Sequence, residues 1–228
     1  MKQRNYLLMA VGMLCSITGL CWADTRDDLK AGQSLLAAAK YDEAIALFSA
    51  VVASGDPVFA PKGQLGIGVA LQGKKRYGES IDALRLGIRT YPNADVVRRE
   101  MLFRLGEVYS LAGRTEDAVE VYRSIPVQYP VDAAKADFRL ARLYLEQRKP
   151  SEATDLLKAS IAAHPDAGDA LDELNSLLGQ CYRESGDLES AAAIYRAVIE
   201  RDPETADRAY LALGICLQGQ GKLPEARD

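Results

Sequence analysis

Histidine is the side chain most often used for proton transfer and metal binding near neutral pH, and this chain of 228 residues has one, His164. A Ser–His–Asp or Cys–His site needs a histidine beside its nucleophile, and a zinc site needs several clustered ligands. His164 stands before Pro165 at a boundary between helical segments, where we expect a solvated loop residue. The residues predict no catalytic site, no metal site and no cofactor, and therefore no enzyme.

Two cysteines, Cys181 and Cys216, lie outside the N-terminal segment 1–23. They stand at equivalent positions of successive helical repeats, and packed helix axes are about 8–10 Å apart. A disulfide needs Cα atoms within about 7 Å, so we expect two buried thiols and no disulfide. The glycine-rich run at residues 63–68 lacks the order of a phosphate-binding loop and lies inside a predicted helix, so it predicts no nucleotide site.

The N-terminal segment 1–23 has the pattern of a secretory signal peptide. Lys2 and Arg4 form a positive start, residues 5–23 carry no charge, and small residues stand three and one before Asp24. The uncharged run from Asn5 to Ala23 is marginal in length for a membrane span. We expect export to the periplasm with cleavage before Asp24, and an N-terminal membrane anchor is the alternative.

Removal of the predicted signal peptide leaves 26 basic and 32 acidic residues, a net charge of −6. A net acidic domain repels phosphate backbones. Nucleic acid is therefore not an expected partner.

Six segments share a five-residue pattern: an apolar residue, a small residue, any two residues and then a large residue. They begin at Ala31, Ile67, Leu105, Leu140, Leu178 and Leu213. A second small residue follows 12 positions after the first, and in five of the six a bulky apolar residue and a proline come next. Small residues let antiparallel helices approach, bulky residues fill the space beside them, and proline ends the pair. The pattern predicts repeated helix pairs.

This pattern resembles the tetratricopeptide repeat, with its L-G-x2-Y, A-x3-F and P positions, over about residues 26–228. The family's Trp is absent; the residues at its position are Asp28, Gln64, Leu102, Asp137, Asn175 and Tyr210. The repeats are long, with 35–38 positions between successive small residues, and in this they resemble those of exported bacterial members. The resemblance implies an all-α fold, a right-handed α-solenoid of antiparallel helix pairs with about five complete repeats and a partial sixth.

The expected organisation is a signal peptide over residues 1–23 and a solenoid over residues 24–228. The repeats are expected near residues 25–58, 59–93, 94–131, 132–166, 167–204 and, in part, 205–228. The longer third and fifth repeats predict first helices that begin about one turn early, near residues 94–98 and 168–172. The partial sixth repeat leaves two interpretations, a terminal cap or the continuation of a longer protein.

The resemblance further implies that another protein or peptide binds in a concave groove lined by the first helices. In the family, groove residues stand three and two before the small residue, and one and four after it. This rule gives Phe103, Arg104, Glu107, Phe138, Arg139, Arg142, Gln180 and Arg183 as groove residues. Aromatic and arginine side chains often anchor interfaces, although Phe103 and Phe138 are equally suited to the core. The carboxylate clamp of chaperone-binding members is absent.

The predicted function is a protein–protein interaction scaffold in the periplasm or cell envelope, as part of a membrane-associated envelope complex. The alternative is the N-terminal docking arm of a larger exported protein or enzyme.

Overall fold

The computed structural model describes residues 20–201, 203 and 206–222, with the backbone alone for residues 20–24. Most of the predicted signal peptide lies outside the described residues. The described part contains eleven α-helices and no strand, which confirms the predicted all-α class. The helices are α1 (Leu20–Ala37), α2 (Tyr41–Ala53), α3 (Ala60–Gly73), α4 (Tyr77–Thr90), α5 (Asp95–Leu111), α6 (Thr115–Arg123), α7 (Pro130–Glu146), α8 (Pro150–Ala163), α9 (Asp169–Glu184), α10 (Leu188–Arg201) and α11 (Asp207–Gly219). None of these helices is long and apolar enough to cross a membrane.

The chain divides into two compact units, with the boundary between Val121 and Tyr122 inside α6. Unit 1 contains α1 to α5 and most of α6, and unit 2 contains α7 to α11. Consecutive helices pack against one another from α1 to α5 in unit 1 and from α7 to α11 in unit 2, as expected for antiparallel pairs. First helices of successive repeats also touch, α1 with α3 and α3 with α5 in unit 1, and α7 with α9 in unit 2. The predicted solenoid of helix pairs is confirmed.

The first helices of the third and fifth repeats, α5 and α9, begin at Asp95 and Asp169, inside the ranges expected for an early start. The first helix of the fourth repeat, α7, is as long as α5, although the sequence predicts no extra turn for it. It begins at Pro130, whose fixed φ suits the first turn of a helix and whose missing N–H is not needed there. The proline that ends one repeat therefore also begins the next.

Among the described residues, the turn that follows each first helix contains a residue in the left-handed region, seven positions after the small residue of the pattern. These residues have φ between +57° and +84° and are Ala39, Lys75, Gly113, Arg148, Gly186 and Gly221. The N–H of the following residue donates to the carbonyl of the pattern's large residue, as from Arg114 to Tyr109 and from Lys149 to Tyr144, both at 2.8 Å. The large residue thus fixes the turn through its backbone.

Left-handed backbone is unfavourable for a residue with a Cβ atom, by about 1–2 kcal/mol. Arg148 is exposed and has φ +61°. Arg148→Gly is expected to raise the free energy of unfolding by about 0.5–1 kcal/mol, measured by urea denaturation. The preceding Gln147 has φ −77°, which a residue with a Cβ atom adopts without strain. Gln147→Gly should therefore lower the free energy of unfolding, because glycine loses more conformational entropy on folding. Equal effects of the two substitutions would contradict this account of the turn.

The bulky residue of a second helix rests on the small residue 16 positions earlier in the first helix. A Cβ atom placed on Gly32 would lie 2.7 Å from the Phe48 ring, and one placed on Gly179 would lie 2.7 Å from the Tyr195 ring. Phe48 also contacts Gly66 of the next repeat, where an added Cβ would again lie 2.7 Å away. Because Phe48 is 1% exposed, its ring fills the space that these two glycines leave.

Gly66→Ala is expected to lower the free energy of unfolding by about 1–3 kcal/mol, because the enclosed Phe48 ring has little room to move. Gly78 provides a matched control, since it lies in a helix of the same unit and an added Cβ would meet open space. Gly78→Ala should stabilise the chain by up to about 1 kcal/mol. Thermal and urea denaturation test both substitutions, and stabilisation by Gly66→Ala would contradict the packing described.

Candidate functional site

A groove of about 810 Å³ lies in unit 2, over the first helices α7, α9 and α11. We call it the inner groove. Its apolar lining consists of Phe138, Leu145, Leu177, Tyr195, Ala209, Leu211, Ala212 and Ile215. Its polar lining consists of Arg142, Glu146, Asp172, Glu173, Ser176, Gln180, Arg183 and Arg208. The three arginines and three carboxylates of this lining cancel in formal charge. Shape complementarity and apolar contact are therefore the main means by which this groove can bind a ligand.

Four of the groove residues predicted from the sequence, Phe138, Arg142, Gln180 and Arg183, line the inner groove. Arg139 does not, although it is exposed on the same helix as Phe138 and Arg142. Residues four apart share one helix face, whereas the next residue is rotated by about 100°. The prediction of Arg139 as a groove residue is therefore unsupported by this geometry.

The three other predicted residues, Phe103, Arg104 and Glu107, lie on α5 in unit 1 and are half-buried. Arg104 forms ion pairs on its own helix, with Glu100 at 3.0 Å and with Glu107 at 3.1 Å. Its charge is thus already compensated, which makes it a weaker anchor for a partner's carboxylate than the sequence suggests.

The sixth repeat supplies groove residues that the sequence prediction, which ended at repeat five, did not include. The small residue of that repeat is Gly214. Three residues of α11 at the groove positions of the rule line the inner groove: Leu211 and Ala212, which are three and two before Gly214, and Ile215, which is one after it. Leu211 is 69% exposed and Ile215 is 45% exposed. The same positional rule identifies them, so the signal was present in the sequence.

One second helix also reaches the inner groove, through Tyr195 of α10. Its ring rests on Gly179 of α9. Burial raises the pKa of Tyr195, and the Arg183 guanidinium beside it opposes that rise. On the same helix as Arg183, the Gln180 amide donates to Glu184 at 2.7 Å. The packing contact between α9 and α10 therefore forms part of the groove floor.

Cys181 and Cys216 are buried thiols. Burial raises the pKa of both, and for Cys216 the Arg183 guanidinium opposes that rise. A thiol with a raised pKa forms little thiolate, which is the reactive species.

Native-state alkylation tests the burial of these two thiols. With iodoacetamide at pH 8, modification of Cys181 and Cys216 is expected to be at least about tenfold slower in the native chain than in urea. Mass spectrometry of the two peptides reads each site separately. Equal rates in the native and unfolded chain would contradict the burial of these residues.

A second cavity of unit 2, of about 430 Å³, is lined by residues of α6, α7 and α8 and the segments that follow α6 and α8. Asp137 and His164 both line it, so His164 is half-buried against a cavity and is not the solvated loop residue that the sequence predicts. Burial raises the pKa of Asp137, while Ser160 and His164 oppose that rise. The helix pair thus brings a serine, a histidine and an aspartate together.

This cluster does not have the form of a hydrolytic site. A nucleophilic serine must meet its substrate, and Ser160 is 3% exposed. The described residues also contain no group of three or more His, Cys, Asp or Glu side chains placed to hold a metal ion.

Comparison with known proteins places the repeats in a family. The model described as "Tetratricopeptide repeat" matches residues 29–95, 138–206 and 176–228, and a second model of the same description matches residues 100–130. A comparison with the curated proteins gives no match.

Solved structures with the same fold include a crystal structure of MamA, 27% identical over 71% of this chain and 88% of that chain, with a TM-score of 0.54. BtubC from P. vanneervenii is 14% identical over 89% of this chain and 87% of that chain, with a TM-score of 0.65. A tetratricopeptide repeat protein from Parabacteroides merdae is 12% identical over 90% of this chain and 77% of that chain, with a TM-score of 0.61. The last two likenesses concern the fold alone.

The repeat pattern, the helix pairs and the family models agree over most of the chain. Proteins of this kind serve as scaffolds that bind other proteins or peptides, and they are in general not enzymes. The chain belongs to the tetratricopeptide repeat family.

Proposed function

We propose that this chain is an exported scaffold of the periplasm or cell envelope that holds a partner peptide or protein domain in the inner groove of unit 2. The observation that carries the proposal is the exposure of Leu211 and Ile215 within the groove, whose lining also includes Phe138 and Leu177. Large apolar side chains that face solvent inside a concavity are typical of binding sites.

The arrangement suits a ligand with an apolar face and polar edges. Leu211 and Ile215 lie four apart on α11 and so present one continuous apolar stripe. Arg142 and Gln180 occupy equivalent positions of α7 and α9 and offer hydrogen-bond donors in the same groove. Apolar contact would supply most of the affinity, and the polar groups would orient the partner.

Partner capture from an envelope extract, with the chain lacking residues 1–23 as bait, tests this site. Leu211→Ser is expected to reduce capture at least about tenfold, because a well-packed apolar anchor contributes about 1.5–3 kcal/mol. Leu111→Ser is the matched control, since Leu111 is an exposed leucine of unit 1 outside this groove. The control should bind as the unmodified chain does.

A second pair of variants separates the inner groove from the neighbouring surface of α7. Arg142→Glu is expected to weaken capture of the same partner, whereas Arg139→Glu, on the same helix but outside the lining, should not. Equal losses of partner capture in Leu211→Ser and Leu111→Ser, or in Arg142→Glu and Arg139→Glu, would contradict the assignment of the inner groove.

Export is supported by the positive start, the uncharged run and the small residues before Asp24. Expression of the full chain in a bacterium with a periplasm, followed by mass spectrometry of the product, tests this part of the proposal. Export and cleavage predict a periplasmic product that begins at Asp24. An intact N-terminus on a membrane-bound product would instead indicate an anchor, and an intact cytoplasmic product would contradict export.

A further inference from the structure

A groove of about 620 Å³ lies in unit 1, over α4 and α5. We call it the unit 1 groove. Its lining includes Arg85, Leu86 and Arg89 of α4 and Leu102 and Leu105 of α5. We propose that the unit 1 groove binds an acidic segment of a partner protein, in which carboxylates flank an aliphatic side chain. The proposal concerns residues of unit 1 alone and does not depend on the function proposed for the inner groove.

One exposed face of α4 forms the wall of this groove. Arg85, Leu86 and Arg89 are all exposed. Arg89 is four positions after Arg85 and three after Leu86, and residues three and four apart share one face of a helix. Leu86 is 44% exposed. The wall therefore presents two guanidinium groups and a large apolar side chain within about one helical turn.

The charges of Arg85 and Arg89 are not compensated within the described part of the chain. Neither guanidinium forms a hydrogen bond or an ion pair with a residue that the structure describes. Both are therefore available to pair with carboxylates of another molecule. Four other arginines of unit 1 are already paired: Arg76 with Glu79, Arg99 with Asp95, Arg104 with Glu100 and Arg114 with Asp117.

Asp82 gives the wall a direction. It lines the groove three positions before Arg85 and seven before Arg89, which places it about 10 Å from Arg89 along the helix axis. A bound acidic segment would direct its carboxylates to the arginines, and one of its backbone N–H groups could donate to Asp82. This pattern of charge suits a polypeptide better than a simple anion.

The floor of the groove is apolar and belongs to the core of unit 1. Leu102 is 7% exposed and Leu105 is 4% exposed. An aliphatic side chain of the partner would lie between this floor and the exposed Leu86. Because exposed ion pairs contribute little affinity, the apolar contact is needed for binding, and the proposed segment must supply both chemistries.

Two other anionic partners fit these observations less well. Without residues 1–23 the chain has 26 basic and 32 acidic residues, so it repels the many phosphates of a nucleic acid. A surface that binds a membrane projects its apolar side chains into the lipid. The apolar floor of the unit 1 groove is recessed, which favours a protein segment over a membrane.

Fluorescence anisotropy with labelled octapeptides tests the proposal, with the chain lacking residues 1–23. The probe contains leucines flanked by glutamates, and the comparison peptides replace either the leucines by serine or the glutamates by lysine. Saturable binding of the probe is expected, with affinity at least about fivefold lower for the serine peptide and no binding of the lysine peptide. Sodium chloride at 0.5 M should weaken binding, because the arginines are exposed to screening.

Substitution of the two arginines tests their role. The double variant Arg85→Gln with Arg89→Gln is expected to weaken binding of the probe at least about tenfold. Arg76→Gln is the matched control, since Arg76 is an exposed arginine of unit 1 that is already paired with Glu79. The control should leave the affinity unchanged. Circular dichroism verifies that each variant is folded, as expected for substitutions of exposed side chains.

Substitution of Leu86 tests the apolar contact. Leu86→Ser is expected to weaken binding of the leucine-containing probe about fivefold and to leave binding of the serine peptide unchanged. Leu111→Ser is the matched control, because Leu111 is an exposed leucine of the same unit outside this lining. Equal losses in the two leucine variants would contradict the proposed contact.

A vesicle assay separates a protein partner from a membrane. The chain is not expected to sediment with vesicles of phosphatidylglycerol and phosphatidylcholine. Sedimentation that is lost in the double arginine variant, without binding of the probe, would assign the groove to a membrane and overturn the proposal. No saturable binding of the probe, equal binding of the lysine peptide, or binding unaffected by the double variant would also overturn it.

Discussion

The contact between a bulky residue of one helix and a small residue of its partner is the constraint on which each unit depends. Phe48 fits between Gly32 and Gly66, and Tyr195 fits on Gly179, at separations that leave no room for an added methyl group. Close approach of this kind fixes both the distance between two helices and their register, because the ring of one fills the depression of the other. The same contact recurs at a constant spacing along the chain, so the fold is built by repetition.

The candidate site follows from that contact. Tyr195 belongs to the packing of α9 against α10, and this buried residue also lines the inner groove next to Arg183. The left-handed turns fix where each first helix ends. The inner groove thus combines a rigid frame with the exposed apolar residues Leu211 and Ile215. A groove that is already ordered loses little conformational entropy of its own when a partner binds.

The sequence predicts the fold well because its signal is periodic and local. Small, large and proline positions identify the helix pairs, and four predicted groove residues, among them Phe138 and Arg183, do line one groove. Arg139 was less predictable, since a positional rule ignores how one helix is rotated about its axis. The cluster of Asp137, Ser160 and His164 was not predictable, because only the packing of α7 on α8 brings Asp137 close to two residues more than 20 positions away.

Hydrogen–deuterium exchange with and without a captured partner is the most direct measurement of the central claim, that the first helices of unit 2 form the binding surface. The account predicts slower exchange on partner binding in peptides from α9 and α11, which line the inner groove, and little change in α8, which does not. Protection confined to α8, or to unit 1 alone, would contradict it.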